Sequence, residues 1–538
     1  MNSKLAATAA GATGLALALA LVGCGDDGDP PAQGEREYAD GATFTMAVNE
    51  DPGGLNPATA VQGATNLLLS FAYDTLVYIG EGGELLPGLA TEWAVSPTEV
   101  TFTLHPDATC ADGSPVTPET VARSIEYVVD PETGSPLLGV LIPADLTAEA
   151  DDAAGTVTLR TAEPSVFLLH STVAIFIICG EGLDDPALLD SQTSGSGPFE
   201  LVDSVANDHY TLRARDGYAW GPAGSGTAER GVPAEVVLRV VTNQSTAANL
   251  LLSGDINAGI FTGADRTRVE HAPGLLTELM SGGNNEFFYH QQSGLPGADP
   301  AVRRALTMAL DLDELATISI QGSTLVPSTG MATLSPRPCR VDSVTGHRIG
   351  HDPAAAAAEL DAAGWIAGPD GIRAKDGEEL AVRLLYNTDY GPGVQAGAEY
   401  QADAWENLGV RVDLRGVAAG AFSEALFQTG DWDVATVPIG VSLPSQLTGY
   451  LSGATVPDGG SNFANIDNQQ YADLVAQAAE VPVDEGGCEL WAQAESALFD
   501  NVDVVPVVES TQLVASNGAE VFLPGGLAQP TRIRMLAD

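Results

Sequence analysis

Apolar and polar positions along the chain change over in two rhythms. Short stretches rich in β-branched residues alternate with period two: TFTMAVN (43–49), VTFTL (100–104), YTLRA (210–214), EVVLRVV (235–241), LAVRLLY (380–386) and VRVDLR (410–415). That rhythm predicts strands with one face buried. Other stretches carry the helical spacing behind a clear start signal. Thr117-Pro118-Glu119 opens VTPETVARSIEYVV, Asp299-Pro300 opens DPAVRRALTMALDLDEL, and Asp352-Pro353 opens DPAAAAAELDAAGW. Each pairs a side chain able to cap the first free N–H groups with proline at the first helical position. In the second, Val302, Leu306, Ala309 and Leu310 fall on one face; in the third, Gly364 stands where a helix stops. Strands and helices interleave, so the predicted class is α/β. No internal repeat is present.

The N-terminus follows neither rhythm. MNSK carries one charge at Lys4, then an apolar run mainly of Ala, Leu and Gly extends to Leu21-Val22, and Gly23-Cys24 closes it. A charged start, a short apolar middle and a small-residue end predict a secretory leader over 1–23, too short for a comfortable membrane span. Leu21-Val22-Gly23-Cys24 also resembles the bacterial lipobox. That resemblance implies cleavage before Cys24 and acylation of its sulfur and new amine. Residues 25–40 have almost no apolar bulk and predict, with Cys24, a flexible acidic tether over 24–40.

Removing the leader leaves 515 of the 538 residues, enough for two or three domains. No later apolar run is long enough to span a membrane. The chain carries 72 acidic against 22 basic residues, a net charge of −50. Such a surface repels nucleic acid and anionic lipid. The acids are spread along the whole chain, which reads as solubility rather than as one cation-binding block. Beyond Cys24, four of the five cysteines remain: Cys110, Cys179, Cys339 and Cys488. In an oxidising compartment an even set predicts disulfides. Three connectivities are open. If the chain splits into lobes, the near pairs are Cys110–Cys179 and Cys339–Cys488.

An exported hydrolase is the natural alternative to a binding protein, but its motifs are missing. The sequence holds no G-x-S-x-G elbow, no HExxH pair, no S-x-x-K set, no P-loop and no dinucleotide fingerprint. No cofactor and no metal site is expected. His347 and His351 are four apart in HRIGH, a spacing that suits a metal on a helix, but Gly350 and the loop-like setting oppose it. Paired acids are so frequent that composition singles out no glycosidase-like pair.

Many stretches resemble one family: the solute-binding proteins (family 5) of bacterial peptide/nickel-type ABC importers, which include oligopeptide- and dipeptide-binding proteins. They are DPGGLNP (51–57), YDTLVYIGEGGELLPGLATEW (73–93), TFTLHPDATCADGSPVTPETVARSIEYV (101–128), GSGPFEL (195–201), GYAWGP (217–222), LLSGDINAGI (251–260), both Asp-Pro helices of the second half, W-x-x-L-G-V (405–410) and GDWDV (430–434). The resemblance runs from about residue 44 to the end. It implies a two-lobed α/β fold of the periplasmic-binding-protein type II-like kind, with a hinge and an extra subdomain in lobe one. Lobe one would comprise 41–283, including the subdomain near 70–194. Lobe two would be 284–508, and 509–538 would return to lobe one. Neither near cysteine pair would then cross the hinge, which supports that pairing.

The resemblance also implies function: an extracytoplasmic component, held at the cell membrane by lipid on Cys24, that closes around a peptide or related small organic solute. As a monomer it would deliver that solute to an ABC permease and ATPase complex, with no covalent chemistry. A secreted hydrolase or an orphan receptor on the same scaffold are the alternatives. Carried over by position, the cleft residues are Asp51, Pro52, Phe261, Asn285, Phe287, Tyr390, Ile439, Val441 and Ser442. Asp51 and Asn285 would orient polar groups and the aromatic side chains would form apolar walls. Phe287 equally suits the core of an apolar strand, and Asp51 equally suits a turn. Tyr73, Asp74 and Trp93 read as scaffold. One departure stands out. Peptide binders of the family place an aspartate in the loop after the W/F-D-V strand, where it pairs with the peptide ammonium. Here the loop reads ATVPIGVSLPSQL, with Ser442 at that position and Ile439 where a tryptophan is usual. No histidine falls among these candidates, which disfavours a nickel chelate.

Overall fold

The computed structural model describes residues 37–537, apart from 61, 322 and 323. The leader, Cys24 and most of the tether lie outside the described residues. Each predicted strand forms within a residue or two of its expected bounds. The main sheet is assembled from Thr43–Val48 (β1), Phe199–Val205 (β2), His209–Ala214 (β3), Glu235–Val240 (β4), Ala258–Phe261 (β5), Leu276–Tyr289 (β6), Ala381–Asn387 (β7), Arg411–Val417 (β8), Val434–Ile439 (β9) and Val504–Ser516 (β10). Their order is β8-β7-β9-β6-β10-β5-β1-β4-β3-β2.

That order divides the molecule. β6 and β10 are the two long strands, and they join the halves. The first part of β6 pairs with the end of β10, from Leu276 opposite Ser516 to Ser281 opposite Thr511. The register then shifts, and Asn284 to Tyr289 pair with β9 on their other edge. Gly282 and Gly283 sit at the shift. Gly283 has φ +95°, and a Cβ there would lie 2.4 Å from the Ile439 carbonyl oxygen. Only glycine accepts both conditions. Cores lie on either side. Phe44, Phe71, Phe199 and Leu238 pack with the C-terminal Ile533 and Met535. Leu306, Leu384 and Trp405 form one core of the other half, and Phe288, Trp432 and Phe463 form a second. The two-lobed α/β expectation holds.

A separate four-stranded antiparallel sheet is formed by Ala90–Ser96, Glu99–Leu104, Thr156–Arg160 and Thr147–Asp151, in that order. Helix Pro118–Val129 buries Val121, Ile125 and Val128 with Phe102 and Val157 of that sheet. Thr117 caps the helix by accepting from the Thr120 N–H, as its sequence predicts. The buried Asp74 carboxylate accepts from Tyr78 at 2.5 Å, Tyr218 at 2.7 Å and Trp220 Nε1 at 2.9 Å. Burial pushes its pKa up despite these donors. Disulfides join Cys110 to Cys179 in this region and Cys339 to Cys488 in the other half.

The helix expected from Asp299 onward is two helices, Pro300–Met308 and Leu312–Ile320. Asp311 causes the break, because its carboxylate caps a new start by accepting the N–H groups of Asp313 and Glu314. Among the described residues no helix is long and apolar enough to cross a membrane.

Candidate functional site

Two adjoining cavities open between the halves. One, of about 470 Å³, lies beside the end of β1 and against the hinge strands; Met46, Asn49, Glu50, Gln244, Met280 and Gln512 are among its lining residues. The other, of about 260 Å³, is lined by Asn66, His170 and Phe176 from one side and by Pro336, Ser442 and Gln446 from the other. Gly63, Ser335, Gly525 and Gly526 line both. Each is a concave space of the size that takes a small organic molecule. A larger space near Cys110–Cys179, of about 510 Å³, is a surface groove within one half, away from the hinge.

The cleft is bridged at one end. The Gln446 amide donates to the Val140 carbonyl at 3.3 Å. Phe167, only 3% exposed, packs with Trp491 at 5.8 Å between ring centroids. These contacts join the four-stranded-sheet region to the other half.

The cleft side chains are mostly uncharged hydrogen-bonding groups. Gln446 Oε1 accepts from the N–H groups of Ser442 and Leu443, each at 3.0 Å, which fixes that loop. Gln244 turns its amide nitrogen to the Ile260 carbonyl at 3.4 Å, and its buried Oε1 has no donor among the described residues. His170 was not expected here. Its Nδ1 is buried without a partner, and burial pushes its pKa down to about 4, so the ring is neutral. His170, which is outside the candidates named from the sequence, lines the smaller cavity. No group of three or more His, Cys, Asp or Glu residues suited to a metal occurs among the described residues. His347 and His351 instead face Asp500 and Asp311 separately, at 2.8 and 3.8 Å.

Of the nine ligand candidates carried over by resemblance, Ser442 lines a cavity. Asp51 is held in its own lobe: it accepts from Gly53 N–H at 2.8 Å, from Tyr210 at 2.9 Å and from Asn207 N–H. Partial burial opposes its charge, but these three donors outweigh it and hold the pKa below the usual carboxylate value. The Pro52 carbonyl accepts from Thr65 and ties the loop to helix Gly63–Ala72. Phe261 (0% exposed) and Phe287 (1%) are core side chains, the latter edge-on to Tyr289. Asn285 lies in β6 between Pro438 and Val508. Tyr390 is 49% exposed and meets Phe422. Ile439 and Val441 are half-buried against the Trp432 core. Reasoning from sequence missed Glu50, Gln244, His170 and Gln446. Glu50 lies two residues past the end of β1, and Met46 and Val48 of that strand also line the cavity.

Comparisons with known proteins agree with this architecture. Residues 84–460 match the profile of the bacterial extracellular solute-binding proteins, family 5 Middle. The periplasmic murein peptide-binding protein MppA of Escherichia coli is 26% identical over 497 residues, covering 86% of this chain and 87% of that protein. A substrate-binding protein from Microbacterium hydrocarbonoxydans, solved with 4-hydroxybenzoate hydrazide, is 25% identical with a TM-score of 0.68, covering 92% of this chain and all of that one (100%). The ABC transporter substrate-binding protein CtaP of Listeria monocytogenes shares the fold, with a TM-score of 0.76 at 19% identity over 92% of this chain and 100% of that one. With well over half its length matched by the family profile, the chain belongs to the bacterial extracellular solute-binding proteins of family 5.

Proposed function

We propose that this protein is the lipid-anchored, extracytoplasmic receptor of an ABC importer. It captures a peptide or a related small organic solute between its lobes and hands it to a permease. The observation that carries this reading is the cleft: two adjoining cavities between halves that are joined by β6 and β10 at a glycine-bearing register shift. Closing such a cleft about two strands buries ligand without any bond being made or broken. Lobe one is assigned to 41–283, with its subdomain near 70–194, lobe two to 284–508, and 509–538 to the return. Acyl chains on Cys24 would keep the receptor at the outer face of the membrane, and more than one chain is needed for stable anchoring. The receptor works as a monomer.

The relatives support both parts of the ligand class. One is named for murein peptides, and another was solved with an aromatic hydrazide. Ser442, at the place where peptide binders of the family carry an aspartate, favours the broader organic class. The test is equilibrium dialysis of the protein against growth medium, followed by mass spectrometry of both compartments. Solutes enriched with the protein at unchanged mass support the receptor. Depletion of a solute with appearance of its fragments identifies a hydrolase instead.

A further inference from the structure

The cleft has an unusual balance of charge. Glu50 lines the larger cavity and has neither a hydrogen-bond nor an ion-pair partner among the described residues. It is the one acid among the described lining residues of the two cavities, and no lysine or arginine lines either of them. Its neighbour Asp51 is engaged elsewhere, so the two adjacent carboxylates have separate tasks. An unpaired carboxylate calls for N–H donors. A ligand carboxylate entering here would lose its water with no fixed cation to replace it, which is strongly unfavourable.

We infer that the cleft selects an organic cation without a carboxylate, an amine or amidine whose N–H groups meet Glu50. This rests on the reading of the cleft as a solute site and narrows it. A charge-assisted bond to a half-buried carboxylate supplies both affinity and discrimination. The chain's net charge of −50 acts in the same direction, concentrating cations and depleting anions near the surface. An ordinary peptide, with its free carboxylate, fits less well than its amide.

The experiment is equilibrium dialysis of the full chain against an equimolar mixture of matched probes: benzamidine, benzamide and benzoate, with Ala-Ala-Ala amide and N-acetyl-Ala-Ala-Ala. Growth-medium solutes are dialysed in parallel. The expected result is retention of the cations over the matched anions, by about tenfold or more. Glu50→Gln should reduce cation retention to that of the neutral probe, while Glu50→Asp keeps the preference; unchanged melting temperatures show that both variants fold. Retention of the anions, or of carboxylate-bearing solutes from medium, overturns the charge class while leaving solute binding intact. An undiminished cation preference in Glu50→Gln overturns the role of Glu50. Retention of nothing from either source overturns the solute-binding reading, and this inference with it.

Discussion

Phe167 and Trp491 meet across the cleft with ring centroids 5.8 Å apart, although 324 positions separate them in the chain. Phe167 follows the strands of the four-stranded sheet in sequence, yet its ring is buried in the Trp432 and Trp491 core of the other half. An aromatic contact of this kind contributes about 1 kcal/mol beyond the area it buries. It exists only while the halves are together. Phe167→Ala should therefore favour the open arrangement and speed ligand release by about tenfold. Stopped-flow measurement of the release of a retained solute checks this. A release rate equal to wild type would show that the contact does not help hold the cleft shut.

Glu286 has both carboxylate oxygens buried and without a hydrogen-bond partner among the described residues. Burial first, and the charge of Glu495 second, push its pKa well above 4.5. The sign follows from linkage: the folded state binds this proton more tightly than the unfolded state. The stabilisation is complete below the unfolded pKa near 4.5 and is lost as pH rises through the higher folded value. Glu286→Gln should raise the melting temperature at pH 8 by about 2 °C or more and flatten the decline above pH 5. Calorimetry across that range is the check.

Asp74 is the acceptor for three buried donors. Asp74→Ala strands all three and should lower the unfolding free energy by about 3 kcal/mol. Asp74→Asn, which keeps a carbonyl oxygen, should lose less. Urea titration followed by tryptophan fluorescence measures both, with Trp220 as a local reporter.

The disulfides span 69 and 149 residues, and neither links the two halves. Replacing Cys339 and Cys488 together by serine should lower stability by about 4 kcal/mol and leave solute retention unchanged. Denaturant titration and dialysis on the same variant separate the two effects.

Much of the fold is legible in the sequence because its determinants are local. Asp352 caps the helix that Pro353 begins by accepting from the Ala355 N–H, and Gly364, at φ +90°, follows its end. The break at Asp311 was missed because one acidic side chain can serve a helix interior or a new cap, and packing decides which. The cleft is a different matter. Glu50, Gln244, His170 and Gln446 come from four separate segments, and nothing in their local sequence records the pairing of β6 with β10 that brings those segments together. Resemblance named Ser442, which lines the smaller cavity, and Asp51, the sequence neighbour of the lining residue Glu50. Asp51 is engaged by Gly53, Asn207 and Tyr210, whereas Glu50 lines the larger cavity without such donors among the described residues.

The most direct test of the central claim is small-angle X-ray scattering on one preparation in two states. The protein is emptied by unfolding in guanidinium, dialysis and refolding with disulfides intact, then measured with and without the solute fraction released in that step. The account predicts a larger radius of gyration for the emptied protein and a return to the compact value when the fraction is added. Superimposable curves at saturating solute, with binding confirmed by dialysis, would contradict closure of the lobes around a ligand.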